Sequence, residues 1–292
     1  MKPDGLGQVI FLDGRGELPM LEVRTRWSTA EVYLHGAHVT SFQKRHEPPL
    51  LFLSQCSRFD EGHPIRGGIP IVFPWFGPRE GMPAHGFARV KQWDMREFTA
   101  APDGSVSLRF SLPDCPEAAL HTAFSLEYIV TVGEALSLEL VVTNKSSVDR
   151  FDFEDCLHTY LAVDDINAVT IAGLKGATYI DKVADGARQV EKGDTLRISS
   201  EVDRVYSDSR AAVEIRDARF GRVIRVEKEN SASTVVWNPW IAKSQALADF
   251  GNDEYLNMLC VESGNVGSNR ISLAPGETSR MKVILSSATA QL

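Results

Sequence analysis

Short runs of alternating apolar and polar residues dominate this chain. Val106, Leu108, Phe110 and Leu112 alternate with Ser105, Ser107, Arg109 and Ser111. Phe124, Leu126, Tyr128, Val130 and Val132 repeat the pattern, and after a GEA turn Leu136, Leu138, Leu140 and Val142 continue it. Residues 21–25, 213–215, 223–228 and 281–285 carry shorter runs of the same kind. A period of two places successive side chains on opposite faces of a strand. Many such runs separated by turn residues predict a mostly β fold, a large antiparallel β-sandwich or barrel. Helical signal is confined to residues 240–249, opened by Asn238-Pro239 and stopped near Gly251, with a short turn at 253–258. The chain has no Ser/Gly linker, low-complexity run or fixed-period repeat, so residues 1–292 read as one domain of two packed sheets. Sheets of that size can offer a concave face to a ligand.

Composition narrows the partners. The 292 residues, 43% of them hydrophobic, suffice for a substantial core. With 31 basic against 39 acidic side chains the net charge is −8, which disfavours nucleic acid and anionic membrane as partners. Four scattered cysteines without a CxxC pair read as reduced thiols. The N-terminus lacks the basic and apolar regions of a signal peptide, and no run of about 18 apolar residues exists for a membrane span. A cytoplasmic, monomeric protein is the expectation.

One stretch opposes the global charge. Residues 65–91, beginning IRGGIPIVFPWFGPREGMPAHGFAR, hold Arg66, Arg79, Arg89 and Lys91 against Glu80 alone. Five of the 14 prolines lie between Pro64 and Pro83, so this backbone is held rather than free. Such a segment suits a wall presenting Arg66, Arg79, His85 and Arg89 to an anionic small ligand, since guanidinium forks match carboxylate and phosphate oxygens. In FDFEDCLHTYLAV, residues 151–163, strand spacing sets Phe151, Phe153, Leu157, Leu161 and Val163 on one face and Glu154, Cys156, His158 and Tyr160 on the other. His158 is then either a poised acid–base group or a hydrogen-bonded structural histidine. Glu262, near the end of MLCVESGNV, is either a general base or a solvated rim residue. Asp203 in EVDRVY reads by default as a rim carboxylate paired with Arg204, and Trp237 and Trp240 either stack on a sugar or plug the core. Walker A, GxGxxG, GxSxG and HExxH motifs are absent, which disfavours nucleotide, hydride and metalloprotease chemistry. His63, His85 and His158 lack carboxylates at ligand spacing, so no metal site is expected.

In order and spacing, IRGGIP, FPWFGP, AHGFAR, a strand histidine before a tyrosine, DRVY, WNPW and CVES together resemble the glucose-6-phosphate 1-epimerases, hexose-6-phosphate mutarotases of the galactose-mutarotase-like β-sandwich superfamily. The resemblance runs from about Gly36 to the C-terminal strand. It implies interconversion of the α and β anomers of hexose 6-phosphates, chiefly D-glucose 6-phosphate, with no metal or organic cofactor. It further implies catalytic roles for His158 as acid and Glu262 as base, a phosphate clamp from Arg66 and Arg89, and sugar contacts from His85 and Asp203. Some members carry a substrate-binding glutamine where Ala84 stands, which leaves one contact unassigned. A neighbouring carboxylate is expected to raise the pKa of His158, and burial that of Glu262. The rival readings are an epimerase of unphosphorylated aldoses and a non-catalytic sugar-phosphate binder.

Overall fold

The computed structural model describes residues 7–290, and among these the predicted antiparallel strands dominate. Nine strands form one sheet in the order Thr195–Leu196, Val169–Ala172, Val213–Asp217, Arg222–Glu229, Thr278–Thr289, Leu136–Asn144, Phe124–Val132, Val106–Ser111 and Asp94–Ala100. The strictly alternating segments of the sequence therefore lie side by side in this sheet. Their even-numbered apolar residues, among them Leu108, Phe110, Leu126, Tyr128, Leu138 and Leu140, are fully buried in the main apolar cluster. A four-stranded antiparallel sheet of residues 8–44 packs its Leu21, Val23, Val32 and Val39 into the same cluster.

The second large sheet, of eight strands, carries Ala187–Val190, Thr178–Asp181, Val202–Ser207, Ser233–Asn238, Met258–Asn265, Asp155–Leu157 and Ile71–Val72 in that order, with Tyr160–Ala162 also pairing Met258–Asn265. Val202, Tyr206, Val236, Leu259, Val261, Leu157 and Leu161 turn to the main cluster. Their neighbours in sequence turn the other way, and on that face Ser233–Asn238 and Met258–Asn265 remain wholly buried. The helix is shorter than expected: Trp240–Ala246, with the Asn238 side chain accepting from the Trp240 amide at 2.9 Å. The turn expected at 253–258 is a 3-10 helix, Glu254–Asn257. Among the described residues no helix is long and apolar enough to cross a membrane.

Candidate active site

Register builds the site. The stretch read as one strand, 151–163, breaks into Phe151–Phe153, Asp155–Leu157 and Tyr160–Ala162. The faces assigned to it hold: Phe151, Phe153, Leu157, Leu161 and Val163 join the main core, whereas Cys156 and Tyr160 belong to clusters on the other side. Its last two pieces pair the same partner strand in the same register, Leu157 opposite Ser263 and Tyr160 opposite Cys260. That register puts residue 158 opposite residue 262, and the His158 Nε2 and Glu262 Oε1 atoms lie 3.3 Å apart. Both side chains are buried, Glu262 to 1% exposure. On the next strands the same face carries Val235 opposite Glu262, Trp237 opposite Cys260 and Asp203 opposite Trp237.

The Pro/Gly/Arg-rich stretch runs beside this row. Pro70 opens the Ile71–Val72 edge strand, a position that demands no amide donor. The Gly68 and Pro70 carbonyls accept from the amides of Tyr160 (2.9 Å) and His158 (3.0 Å). Gly86, at φ +74°, lies so close to the Phe73 carbonyl that a Cβ would come within 1.9 Å of its oxygen, which explains the glycine of HGFAR. His85 before it also adopts a left-handed backbone, φ +64°. Its Nδ1 accepts from the Gly77 amide at 3.3 Å, leaving the proton on Nε2, and its ring meets Phe76 and His158 edge-on at 4.9 and 5.7 Å.

Together these elements enclose a cavity of about 190 Å³ lined by Arg66, His85, His158, Asp203 and Glu262, with Phe76, Lys182, Val235, Trp237, Lys243 and Leu247. Five of the six predicted site residues thus converge. Arg89 does not line the cavity; its Nη2 donates to the Ala84 carbonyl at 2.7 Å, so the backbone at Ala84 anchors a guanidinium. Arg66 arrives occupied. Its Nε and Nη2 donate to Asp249 Oδ2 at 3.2 and 3.1 Å, and its Nη1 to the Tyr160 hydroxyl at 3.1 Å. Asp203 faces the cavity rather than pairing with Arg204, which donates to Glu191 at 3.1 Å and forms a looser ion pair with Asp181 at 3.7 Å. Trp237 both packs and lines, meeting His158 edge-on at 6.0 Å, whereas Trp240 packs on Tyr255 at 5.2 Å. Arg79 sits over the Trp75 ring at 5.1 Å outside the cavity, and His63 is exposed beside Asp60.

The sequence places Tyr160 on the face of His158 without giving it a role, and it offers no signal for Asp249, Lys182 or Lys243. The Arg66–Asp249 contact spans 183 residues and has no local signature. Lys243 is paired with Glu201 at 2.9 Å, and the Lys182 ammonium stands 4.4 Å from the Phe76 ring centre.

Burial governs the electrostatics. Burial, reinforced by Asp203, pushes Glu262 from 4.5 up to about 8, against the pull of Lys182, the Cys156 thiol and Arg89. The expectation for His158 is reversed: burial, with His85, Arg89 and Arg66 around it, drives its pKa well below the ordinary 6.5. Loss of solvation, with cations already nearby, resists an imidazolium more than one carboxylate favours it. Burial likewise brings His85 to about 3 and Arg89 to about 10. Burial raises Asp203 too, while on Arg66 burial is outweighed by Tyr160 and Asp249, which hold the guanidinium above its usual value. His158, Cys260 and Glu262 bring one ligand atom each within 4.8 Å of one another, a donor set that zinc accepts. Arg66, Arg89 and Lys182 around them oppose a divalent cation. What the arrangement can do is exchange one proton between an imidazole and a carboxylate beside a small polar ligand.

The aldose 1-epimerase family model matches residues 19–286. A protein of Cenchrus ciliaris named "Putative glucose-6-phosphate 1-epimerase" is 35% identical over 293 residues, covering 97% of this chain and 85% of that protein. A protein of the same name from Escherichia coli K12 is 34% identical over 85% of this chain and 83% of its own. The crystal structure of a "putative mutarotase" from Salmonella typhimurium superposes with a TM-score of 0.87 at 30% identity, covering 97% of this chain and 94% of that one.

Proposed function

This chain belongs to the aldose 1-epimerase family of isomerases, and from that premise we propose that it interconverts the α and β anomers of hexose 6-phosphates, D-glucose 6-phosphate first among them. The reading treats residues 1–292 as one domain, supported by an apolar cluster that reaches from Leu21 to Leu285. The observation that carries the chemistry is the buried His158–Glu262 pair, 3.3 Å apart at the wall of a cavity bearing Arg66, Lys182 and Lys243.

Ring opening needs one group to take the proton of the C1 hydroxyl and another to protonate the ring oxygen O5. In the simplest assignment Glu262 takes the O1 proton and His158 delivers one to O5. The C1–O5 bond breaks, the aldehyde turns about C1–C2, and closure on its other face returns both protons. The carboxylate–imidazolium pair and the carboxylic acid–imidazole pair hold the same single proton. The buried surroundings favour the second arrangement, and the two atoms that exchange the proton stand 3.3 Å apart. Burial holds His158 down first and the cations add to it; a phosphate dianion near Arg66 and Arg89 offsets that second part, so substrate binding moves the proton toward the imidazole. His85 and Asp203 are assigned to the sugar hydroxyls.

Arg66 and Arg89 are assigned to the phosphate, which converts binding energy remote from C1 into orientation of the reacting atoms. Arg89→Ala is expected to raise KM for glucose 6-phosphate roughly ten- to hundredfold, the worth of a hydrogen bond to a charged group, and to leave free glucose unaffected. An unchanged kcat/KM on the phosphate ester removes Arg89 from the clamp.

The engagement of Arg66 by Asp249 and Tyr160 favours a second reading, action on unphosphorylated aldoses. Magnetisation-exchange NMR of the anomeric signals of glucose 6-phosphate, glucose and galactose separates the two. Fast exchange of the ester alone supports the phosphate reading, and equally fast exchange of free sugars replaces it with the second. Bound ester without faster exchange ends both.

A further inference from the structure

Cys156 lies opposite Gly264 and therefore diagonally across from Glu262, on the same face of the sheet. The two strands approach unusually closely there: a Cβ on Gly264 would lie 2.3 Å from the Asp155 carbonyl oxygen and 2.7 Å from the Cys156 Cβ. The approach carries the thiol to the carboxylate, with Cys156 Sγ 3.6 Å from Glu262 Oε2, both residues being buried. Glu262 thus offers one oxygen to the imidazole and the other to the thiol. We propose that Cys156 is a positioning residue for Glu262: its S–H donates to Oε2, fixes the carboxyl plane so that Oε1 meets His158, and favours the ionised form of Glu262.

The thiol is a weak donor, and toward an ionised carboxylate, which has no proton to give, donation is the only bond it can make. Burial and Glu262 both push the Cys156 pKa up, so it stays protonated through the working range. The other charged or titratable groups acting on Glu262 are His158 opposite it, Tyr160 on the neighbouring Tyr160–Ala162 strand, Cys260 on its own strand, Asp203 two strands away, Lys182 after the Thr178–Asp181 strand, and Arg89 from the Ala88–Val90 turn. None of them reaches Oε2 in a hydrogen bond, so the contribution of Cys156 is separable by substitution.

This inference rests on the reading of Glu262 as a proton-transfer group, and the test keeps the two apart. The Glu262 carboxyl carbon is titrated by NMR in ¹³C-glutamate-labelled wild type, Cys156→Ala and Cys156→Ser, beside pH profiles of kcat/KM on glucose 6-phosphate. Cys156→Ala is expected to move the Glu262 titration up by about half to one pH unit and to lower kcat/KM at pH 7 about three- to tenfold, with the deficit closing above pH 9. Cys156→Ser, which keeps a hydroxyl donor, moves both back toward wild type. A Glu262 titration that is unchanged in both variants, whatever happens to melting temperature, makes Cys156 mere packing and overturns the proposal. A titration that shifts while the rate profile does not would uphold the contact and remove Glu262 from proton transfer.

Discussion

His158→Asn lowers kcat for anomer exchange by about 10²–10⁴-fold, the usual contribution of a positioned acid–base group, while the protein still binds an analogue that cannot open, such as 1,5-anhydroglucitol 6-phosphate. Asparagine keeps a polar side chain of similar reach but cannot carry the proton. If His158 and Glu262 work as one proton-passing unit, as proposed, adding Glu262→Gln to this variant costs little more than either change alone. Exchange NMR at saturating glucose 6-phosphate measures the rate, and calorimetry with the anhydro analogue measures binding. A His158→Asn enzyme within threefold of wild type would sink the assignment of His158.

Glu262→Gln abolishes activity and yet makes the fold more stable. A glutamate whose native pKa is about 8, against 4.5 in an open chain, keeps its proton in the folded state while the unfolded chain gives its proton up. Stability from this group is intact below pH 4.5, declines as the pH rises through the interval up to 8, and is flat beyond it. At pH 7 that interval has been crossed for about 2.5 pH units at about 1.4 kcal/mol each, roughly 3 kcal/mol in all. Glutamine has the same shape and never ionises, so it is free of this penalty. Thermal unfolding should give a Tm for Glu262→Gln higher than wild type by on the order of 5 °C at pH 7, with the gap vanishing near pH 4. A variant less stable than wild type at pH 7 would mean that the native pKa of Glu262 is not raised in this way. Cost in stability at a buried acid is the expected mark of a group retained for chemistry.

How much of this was legible depended on which sheet a residue sits in. The nine-stranded sheet announced itself through Val106–Ser111 and Phe124–Val132, because one face of each strand is apolar and the other partly open, and alternation survives. Ser233–Asn238 and Met258–Asn265 are buried on both faces, so alternation is lost in the strands that carry the cavity. From the strand pattern Glu262 reads equally as a general base or a rim residue, and only the resemblance of CVES to a family motif favours the first. The break at residues 158 and 159 was invisible, since their backbone bonds run to the Pro70 and Leu157 carbonyls and not along a single ladder. The pKa direction of His158 has a related cause: burial depresses it first, and His85, Arg89 and Arg66, all distant in sequence, add to that. Cys156 and Asp249 act through pairings whose partners lie 106 and 183 residues away, a separation over which one sequence offers no pattern.

The carboxylate of Asp249 already seated on the Arg66 fork turns anion capture, on the clamp reading, from addition into substitution. An incoming phosphate takes over a place that a negative charge holds at all times, so Arg66 never faces the low-dielectric cavity uncompensated. Chloride or a simple carboxylate brings one charge to displace one charge and gains nothing over the resident. A phosphate monoester brings nearly two, with more oxygens to offer the fork and the neighbouring Tyr160 hydroxyl. On the clamp reading, the Arg66–Asp249 pair would therefore act as a valence filter, passing over abundant monovalent anions and yielding to the doubly charged end of a sugar phosphate.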